Sequence, residues 1–314
     1  MRKSLFLMLI LVTSCGGGGG GGGSSQPPTI PTTNASPIIN NAVSEIEIEE
    51  GMMNVLTIQA SDPDGDSLRY MLSGEDPSYF NISGEGEITF RESSVYDQKN
   101  KYSIVVEVSD NQITASKSFV IYLLKVCTDS LLDFDVCFGD KNTSVDYDRQ
   151  GDYPTWDDTD SDCQNNRHEV LIQEHINDDA NHPLTFSSSD NCYVQSGKWY
   201  DPYDDAYYYL ASEVQIDHVV ALYEAHISGV WYFPDEKKRK FANSLENDDQ
   251  LIAVGASSNQ QKGASNPSQW MPSNSSYHCE YLRKWVGIKS FYRLNIDMTE
   301  KDSILESYNN SSCD

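Results

Sequence analysis

The chain has 314 residues, enough for two domains with a buried core each, and a formal net charge of −26 from 48 acidic and 22 basic side chains. That balance excludes a protein that coats nucleic acid through a basic surface, because phosphate contacts need local Lys and Arg. It is compatible with an enzyme that meets phosphate through a metal, and with a calcium-binding surface module.

The chain opens on "MRKSLFLMLILVTSC", with Arg2 and Lys3 ahead of an apolar run over 5–12. This run is too short to span a bilayer as a mature helix and reads as a signal peptide. The small residues before the first cysteine resemble the lipobox of bacterial lipoproteins. The resemblance implies that residues 1–15 are signal peptide and lipobox, with Cys15 as the lipidated mature N-terminus, anchored to a membrane surface without crossing it. Gly16 is not the acidic residue linked with inner-membrane retention, which points to the outer membrane. Residues 16–36 begin with eight glycines and continue in Ser, Pro and Thr, the composition of a flexible tether.

Residues 37–126 change character. Short stretches such as "SEIEIEE", "VLTIQA", "EITF", "YSIVVEVSD" and "KSFVIYLLK" are separated by the turn signals "DPDGD" and "SGEGE". This is the pattern of an all-β sandwich. Within it, "ASDPDGDSLRYMLSG" and "YSIVVEVSDN" resemble a cadherin-type repeat. The resemblance implies calcium bound by Glu50, Asp62, Asp64 and Asp110, whose hard oxygens suit that ion. Asp97 matches less well, because "VYDQKNKY" departs from the family's mid-repeat acidic motif. The competing reading is a polar turn that only stabilises its hairpin.

Residues 127–144 read as a linker closed by a disulfide. With Cys15 set aside, the remaining six of seven cysteines form an even set without a CxxC pair, which favours disulfides in an exported chain over a zinc cluster. Pairing by proximity in sequence joins Cys127 to Cys137, Cys163 to Cys192 and Cys279 to Cys313.

From residue 145 to 314, aromatics and polar loops dominate, and helical spacing is expected only late, over 235–245 and 278–292. In the second helix Tyr281, Trp285, Ile288 and Tyr292 fall on one face as a core stripe. The basic run Lys237, Lys238, Arg239 and Lys240 reads as a solvated helix face. His168, His175, His182, His226 and His278 show no ligand-like spacing.

The chemistry concentrates in "SEVQIDHVVALYEAH". Val214 and Ile216 alternate with Gln215 and Asp217, a short strand that finishes with Asp217 and His218 pointing to opposite faces. Downstream, "LIAV" reads as a second strand and "SSNQQKG" as a helix start ended by Gly263. Such a ββα unit would let Asp217 and Asn259 approach one divalent cation through oxygens, with His218 left free as a base.

This constellation resembles the HNH, or His-Me finger, nucleases. Within them it is similar to the exported HNH family that shares a domain with the C-terminal part of certain modification-dependent restriction enzymes. "YDRQGDYPTW", "DCQNNRHEVL", "GKWYDPY", "QIDHVVAL", "LIAVGASSNQQKG" and "NPSQWMPSNSSYHCEYLRKWVGIK" follow its order over about 145–313. The resemblance implies His218 as general base and Asp217 and Asn259 as ligands of Mg²⁺ or another divalent cation. Gln250 or Asn247 would orient the base, where many relatives carry an Asn before the second strand. Lys262, at i+3 from Asn259, and Arg167 are the candidates for steadying phosphate. Each has a purely structural alternative, a solvated Lys262 and an Arg167 paired with a carboxylate such as Glu169.

The chain thus reads as multidomain: an all-β cadherin-like sandwich over 37–126, then an α+β domain over 145–314 containing a ββα-metal (HNH) core. The leading functional reading is an extracytoplasmic, lipid-anchored, Mg²⁺-dependent endonuclease acting on DNA or RNA with low sequence specificity. The second is a calcium-dependent adhesion lipoprotein whose HNH-like domain is inactive. The implied partners are nucleic acid, the membrane through the lipid, and a surface ligand of the sandwich.

Overall fold

The computed structural model describes residues 33–313 except 154, 188 and 246–249. The leader, Cys15, the glycine run and Asn247 lie outside the described residues.

Nine strands form the N-terminal region: β1 (Ile38–Ile39), β2 (Glu45–Glu49), β3 (Asn54–Thr57), β4 (Ala60–Ser61), β5 (Arg69–Ser73), β6 (Phe80–Ile82), β7 (Glu87–Phe90), β8 (Lys101–Ser109) and β9 (Thr114–Leu124). One sheet runs β2-β9-β8-β5 and the other β3-β7-β6, while β1 pairs with β4. Alternation in the sequence decides the packing. On β8, Tyr102, Ile104, Val106 and Val108 are buried, and they meet Phe119, Ile121 and Leu123 of β9. The opposing sheet contributes Phe80, Ile88 and Phe90 to the same cluster. Gly86, at φ +81° in the β6–β7 turn, sits where a Cβ would come 3.1 Å from the Tyr70 ring, so the turn needs glycine twice over.

The C-terminal part is mixed α and β. It comprises β10 (Asp129–Leu131), β11 (Phe134–Phe138), α1 (Asn166–Gln173), β12 (Thr185–Phe186), β13 (Val194–Asp201), β14 (Ala206–Leu210), β15 (Val214–His218), α2 (Leu222–Ser228), α3 (Asp235–Asn243), β16 (Leu251–Gly255), α4 (Ala256–Lys262), α5 (His278–Phe291), β17 (Asn295–Ile296) and α6 (Met298–Asn310). Helix α1 comes earlier than the sequence pattern suggests. Asn165 caps it by accepting from the His168 N–H, and Val170 and Leu171 are buried in the core beside Trp199, whose Nε1 donates to the Leu171 carbonyl at 2.7 Å. Eight residues with two core contacts carry too little periodicity to stand out in a sequence.

Two cores flank the β15–β16 pair. Leu251 and Ala253 join Val170, Leu171, Trp199, Val214 and Ile216 on the α1 side. Ile252 and Val254 join Tyr281, Leu282, Trp285 and Val286 of α5 on the other. Burial on both faces explains why "LIAV" is a continuous apolar run instead of an alternating one. Three disulfides close the fold, Cys127–Cys137, Cys163–Cys192 and Cys279–Cys313.

Beneath α5, Lys289 Nζ lies 2.7 Å from Glu224 and 2.9 Å from Glu300, and Lys141 bridges the same two glutamates at 2.8 and 2.7 Å. The two regions touch through Tyr96 against Tyr232, Arg293 to Glu49 at 2.8 Å and Lys237 to Glu47 at 2.5 Å.

Two stability outcomes follow from these buried charges. Lys289→Met leaves Glu224 and Glu300 with one cation instead of two, and should lower unfolding free energy by about 3–5 kcal/mol, read from the urea midpoint; a loss under ~1 kcal/mol would show that Lys141 alone suffices. Glu174, just past α1, accepts from the Ala253 N–H at 2.8 Å, and burial pushes its carboxyl up to about 7. A raised folded-state value means that the ionised form is disfavoured by folding, so stability falls as pH rises from the ordinary carboxylate range to about 7. Glu174→Gln keeps the acceptor and removes the titration. The stability difference between variant and wild type should therefore shift in favour of the variant between pH 5 and pH 8, and parallel pH profiles would refute the assignment.

Candidate active site at the strand–strand–helix unit

The pair β15–β16 is antiparallel, with Asp217 opposite Ile252 and His218 opposite Leu251. Helix α4 begins at Ala256 directly after β16 and stops where Gly263, at φ +53° and ψ −123°, takes a conformation open to glycine. Successive residues of a strand face opposite ways, so Asp217 turns toward the α5 core and His218 the other way. Residues 219–250, with α2 and α3, are inserted between the two strands.

His218 is held by this insertion. Its Nε2 donates to the Ala242 carbonyl, at the end of α3, over 2.8 Å. A carbonyl only accepts, so the neutral ring carries its proton on Nε2 and its lone pair on Nδ1. The Trp156 ring stacks on the imidazole, 5.6 Å between centroids and 5° from parallel. Burial pushes the His218 pKa down to about 4, the Lys262 and Arg149 charges act the same way, and the Ala242 carbonyl opposes them. The imidazole is therefore neutral at pH 7 and able to accept a proton. It opens on a cleft of about 370 Å³ that Asp217, Asn259, Arg149, Trp156 and Tyr223 also line.

Asp217 is 4% exposed. Its Oδ1 accepts from Lys262 Nζ at 2.9 Å and its Oδ2 from the Tyr203 hydroxyl at 2.7 Å. Burial raises its pKa, while Lys262 and Tyr203 pull it down. Lys262, 1% exposed, also donates to the His218 carbonyl at 2.8 Å and is an internal counter-ion, not a solvated side chain. Asn259 donates from Nδ2 to Gln215 Oε1 at 2.9 Å, which leaves its Oδ1 as the end available to a cation. The donor set of one carboxylate and one amide oxygen suits a hard dication. Each Asp217 oxygen has a second lone pair beyond the bond it already accepts.

The structure separates other expected site residues from this cluster. Arg167 Nη2 donates to the carbonyls of Ala211 and Val214 at 2.8 and 3.0 Å, which ties α1 to the start of β15 and engages the group expected to meet phosphate. Gln250 is fully buried; its side chain donates to the Phe241 carbonyl, one residue from the carbonyl that holds His218, and its own carbonyl accepts from the Val219 N–H at 3.0 Å. Each cation of the basic run on α3 meets a carboxylate: Lys237 with Glu47, Lys238 with Asp152, Arg239 with Asp157 and Lys240 with Glu236.

The expected calcium ligands divide as well. Ala35 N–H donates to Asp64 at 2.7 Å and Asn34 to Asp110 at 2.7 Å, so one end of the sandwich gathers around residues 34–35. Asp62 belongs to that end, where its Oδ1 accepts from the Asp64 N–H and its Oδ2 is buried without a partner. Glu50 instead accepts from the N–H groups of Tyr96 and Val126, beyond the far ends of β8 and β9. Nine residues of β8 separate the two ends, about 30 Å at the rise of a strand, so Glu50 shares no ion with the aspartates. Asp97 is at Glu50's end and pairs with Lys125 at 3.2 Å.

Three participants escaped sequence reasoning. Trp156 and Tyr203 sit in ordinary aromatic blocks, and the Ala242 carbonyl has no side-chain signal. A fourth feature is a loop where carboxylate oxygens of Asp158, Asp160 and Asp162 lie within 4.8 Å of one another and could hold a metal ion. Their alternate spacing was legible in the sequence.

Residues 156–307 match the family model of the C-terminal domain of GmrSD restriction endonucleases. The match starts at Trp156 and includes Asp217, His218, Asn259 and Lys262. A protein described as an uncharacterized secreted protein from the fungus Arthroderma benhamiae is 42% identical over 119 residues, covering 38% of this chain and 58% of that protein. The chain thus spans somewhat over half the length of this relative. Among solved structures, human protocadherin-24 EC1-2 is similar at 20% identity and TM-score 0.28, over 29% of this chain and 44% of that one. Drosophila N-cadherin EC1-3 is similar at 19% identity and TM-score 0.27, over 30% and 35%. Likeness at these scores decides nothing about the sandwich's ligands.

The ion pair can be tested directly. Lys262→Met strands a buried carboxylate and should cost about 3–5 kcal/mol, whereas Lys262→Met with Asp217→Asn should cost clearly less than the two single changes summed. Additive costs would mean that the two groups do not interact.

Proposed function

We propose that the protein is an extracytoplasmic, divalent-metal-dependent endonuclease that hydrolyses phosphodiester bonds of DNA or RNA with little sequence preference. The observation that carries this reading is the His218 ring. It is neutral, fixed by its Nε2 bond to Ala242, and it lines one cleft with Asp217 and Asn259. The family match over 156–307 supports the same chemistry.

In this reading His218 Nδ1 takes the proton from a water as that water attacks phosphorus, the opposite P–O bond to the sugar breaks, the leaving oxygen takes a proton from solvent, and the Nε2–Ala242 bond keeps the ring aimed. Asp217 and Asn259 would hold the cation, which supplies charge neutralisation at the scissile phosphate when bound. Lys262 offsets part of the effect of burial on the Asp217 carboxyl and holds the β15 backbone at His218. Tyr203 fixes the second carboxylate oxygen. Arg149 and Tyr223 at the rim are exposed and line the route by which phosphate would approach.

The three disulfides and the secreted fungal relative support a place outside the cytoplasm. Anchoring through Cys15 and a spacer role for the sandwich, with calcium at Asp62, Asp64 and Asp110, complete the proposal.

Supercoiled plasmid and single-stranded RNA incubated with the full chain and Mg²⁺ or Mn²⁺ should be cut. His218→Ala should lower the rate by about 10²–10⁴-fold without loss of fold. Intact substrates across pH 6–9 with both metals would refute the enzyme reading.

A further inference from the structure

The acidic loop ahead of α1 has no part in the chemistry above, yet it has the ligand spacing of a calcium loop. Asp158, Asp160 and Asp162 occupy alternate positions, and Glu169 follows Asp162 by seven residues in the first turn of α1. A twelve-residue loop that wraps Ca²⁺ supplies side chains at its first, third and fifth positions, a backbone carbonyl at the seventh and a two-oxygen glutamate at the twelfth. Counted from Asp158, these are Asp158, Asp160, Asp162, the Gln164 carbonyl and Glu169. The sixth position, where such loops make their sharp turn, is Cys163 at φ +79°.

An independent observation points to a missing partner. Glu169 Oε2 is sealed from solvent and has no hydrogen-bond partner. The Asn166 N–H donates to the Asp157 carbonyl at 2.6 Å, which brings the start of the loop against the first turn of α1, where Glu169 sits. The oxygens of the three aspartates already lie within 4.8 Å of one another. Among the described residues no Lys or Arg forms an ion pair with any of these four carboxylates. A buried acceptor beside three like charges needs a cation.

We infer that Asp158, Asp160, Asp162 and Glu169, with the Gln164 carbonyl, form a structural Ca²⁺ site separate from the active-site cleft. All the side-chain donors are oxygens and four carry charge, which suits Ca²⁺ and disfavours softer metals. The loop is continuous with the parts that hold the base. Asp157 N–H donates to Asn243 Oδ1 at 2.9 Å, Asp157 pairs with Arg239 at 2.6 Å, and Asn166 Nδ2 donates to the Asn243 carbonyl. Asn243 follows Ala242, whose carbonyl holds His218. From the same helix, Arg167 binds the carbonyl of Val214 on β15, and the Cys163–Cys192 disulfide pins the loop near the start of β13. A cation here would brace the support of the catalytic strand without touching substrate.

The test titrates calcium alone into the chelator-treated full chain, followed by calorimetry and thermal melting. Half-saturation is expected in the range of about 0.1–1 mM, typical of extracellular sites, with a rise in melting temperature and much weaker binding of Mg²⁺. In a chain that carries Asp62→Asn with Asp64→Asn, Glu169→Gln should weaken the binding by about tenfold or more, and Asp158→Asn with Asp160→Asn should abolish it. Asp62→Asn with Asp64→Asn serves as the control for the sandwich and should leave this binding in place. Circular dichroism confirms that each variant is folded, and Glu169→Gln decides the matter if the double aspartate variant is not. Unchanged affinity in Glu169→Gln, or binding abolished only by the sandwich variant, would overturn the assignment, as would wild type that binds no calcium at 10-fold the expected range, about 10 mM.

Discussion

The buried pair of Lys262 and Asp217 is the constraint on which the strand–strand–helix unit turns. Its 2.9 Å contact, together with the bond from Lys262 to the His218 carbonyl, closes α4 onto β15 and fixes the position of Asn259 one helical turn earlier. Burial makes the arrangement demanding, because a lone carboxylate or ammonium at that depth is strongly disfavoured. Tyr203 and Lys262 oppose the effect of burial on the Asp217 carboxyl and fix where its two oxygens point.

Around this pair the domain sets a second, backbone-based constraint. The long insertion between β15 and β16 returns through α3, and the carbonyls of Phe241 and Ala242 at its end are taken by Gln250 and His218. The His218 ring is thus oriented by main chain, and the buried glutamine secures that main chain. Trp156 stacks on a face of the imidazole, and burial is the main cause of the low His218 pKa.

The acid excess that dominates the composition is distributed by role. Some carboxylates neutralise the basic face of α3, so that this face is no track for nucleic acid. Glu224 and Glu300 neutralise the buried lysines under α5. Two groups without lysine or arginine partners among the described residues, at the loop before α1 and at one end of the sandwich, offer clustered oxygens that favour cations from the medium.

Much of the scaffold was legible. Period-two alternation marked β8, β9 and β15, a doubly buried apolar run marked β16, aromatic spacing marked α5, and the adjacency of cysteines in sequence matched the three disulfides. Helix α1 was missed because its pattern is short and its stability comes from Trp199 and an Asn cap. For the site, the sequence by itself determined that Asp217 and His218 face opposite ways, since strand geometry allows nothing else, and that Asn259 and Lys262 share a helix. Only the tertiary structure decided that Lys262 is spent on Asp217, that Arg167 serves backbone carbonyls, that Glu50 sits far from the aspartates and that a carbonyl from α3 aims the His218 ring. The reason is physical: these roles depend on burial and on partners distant in the chain, and neither has a signature in local periodicity.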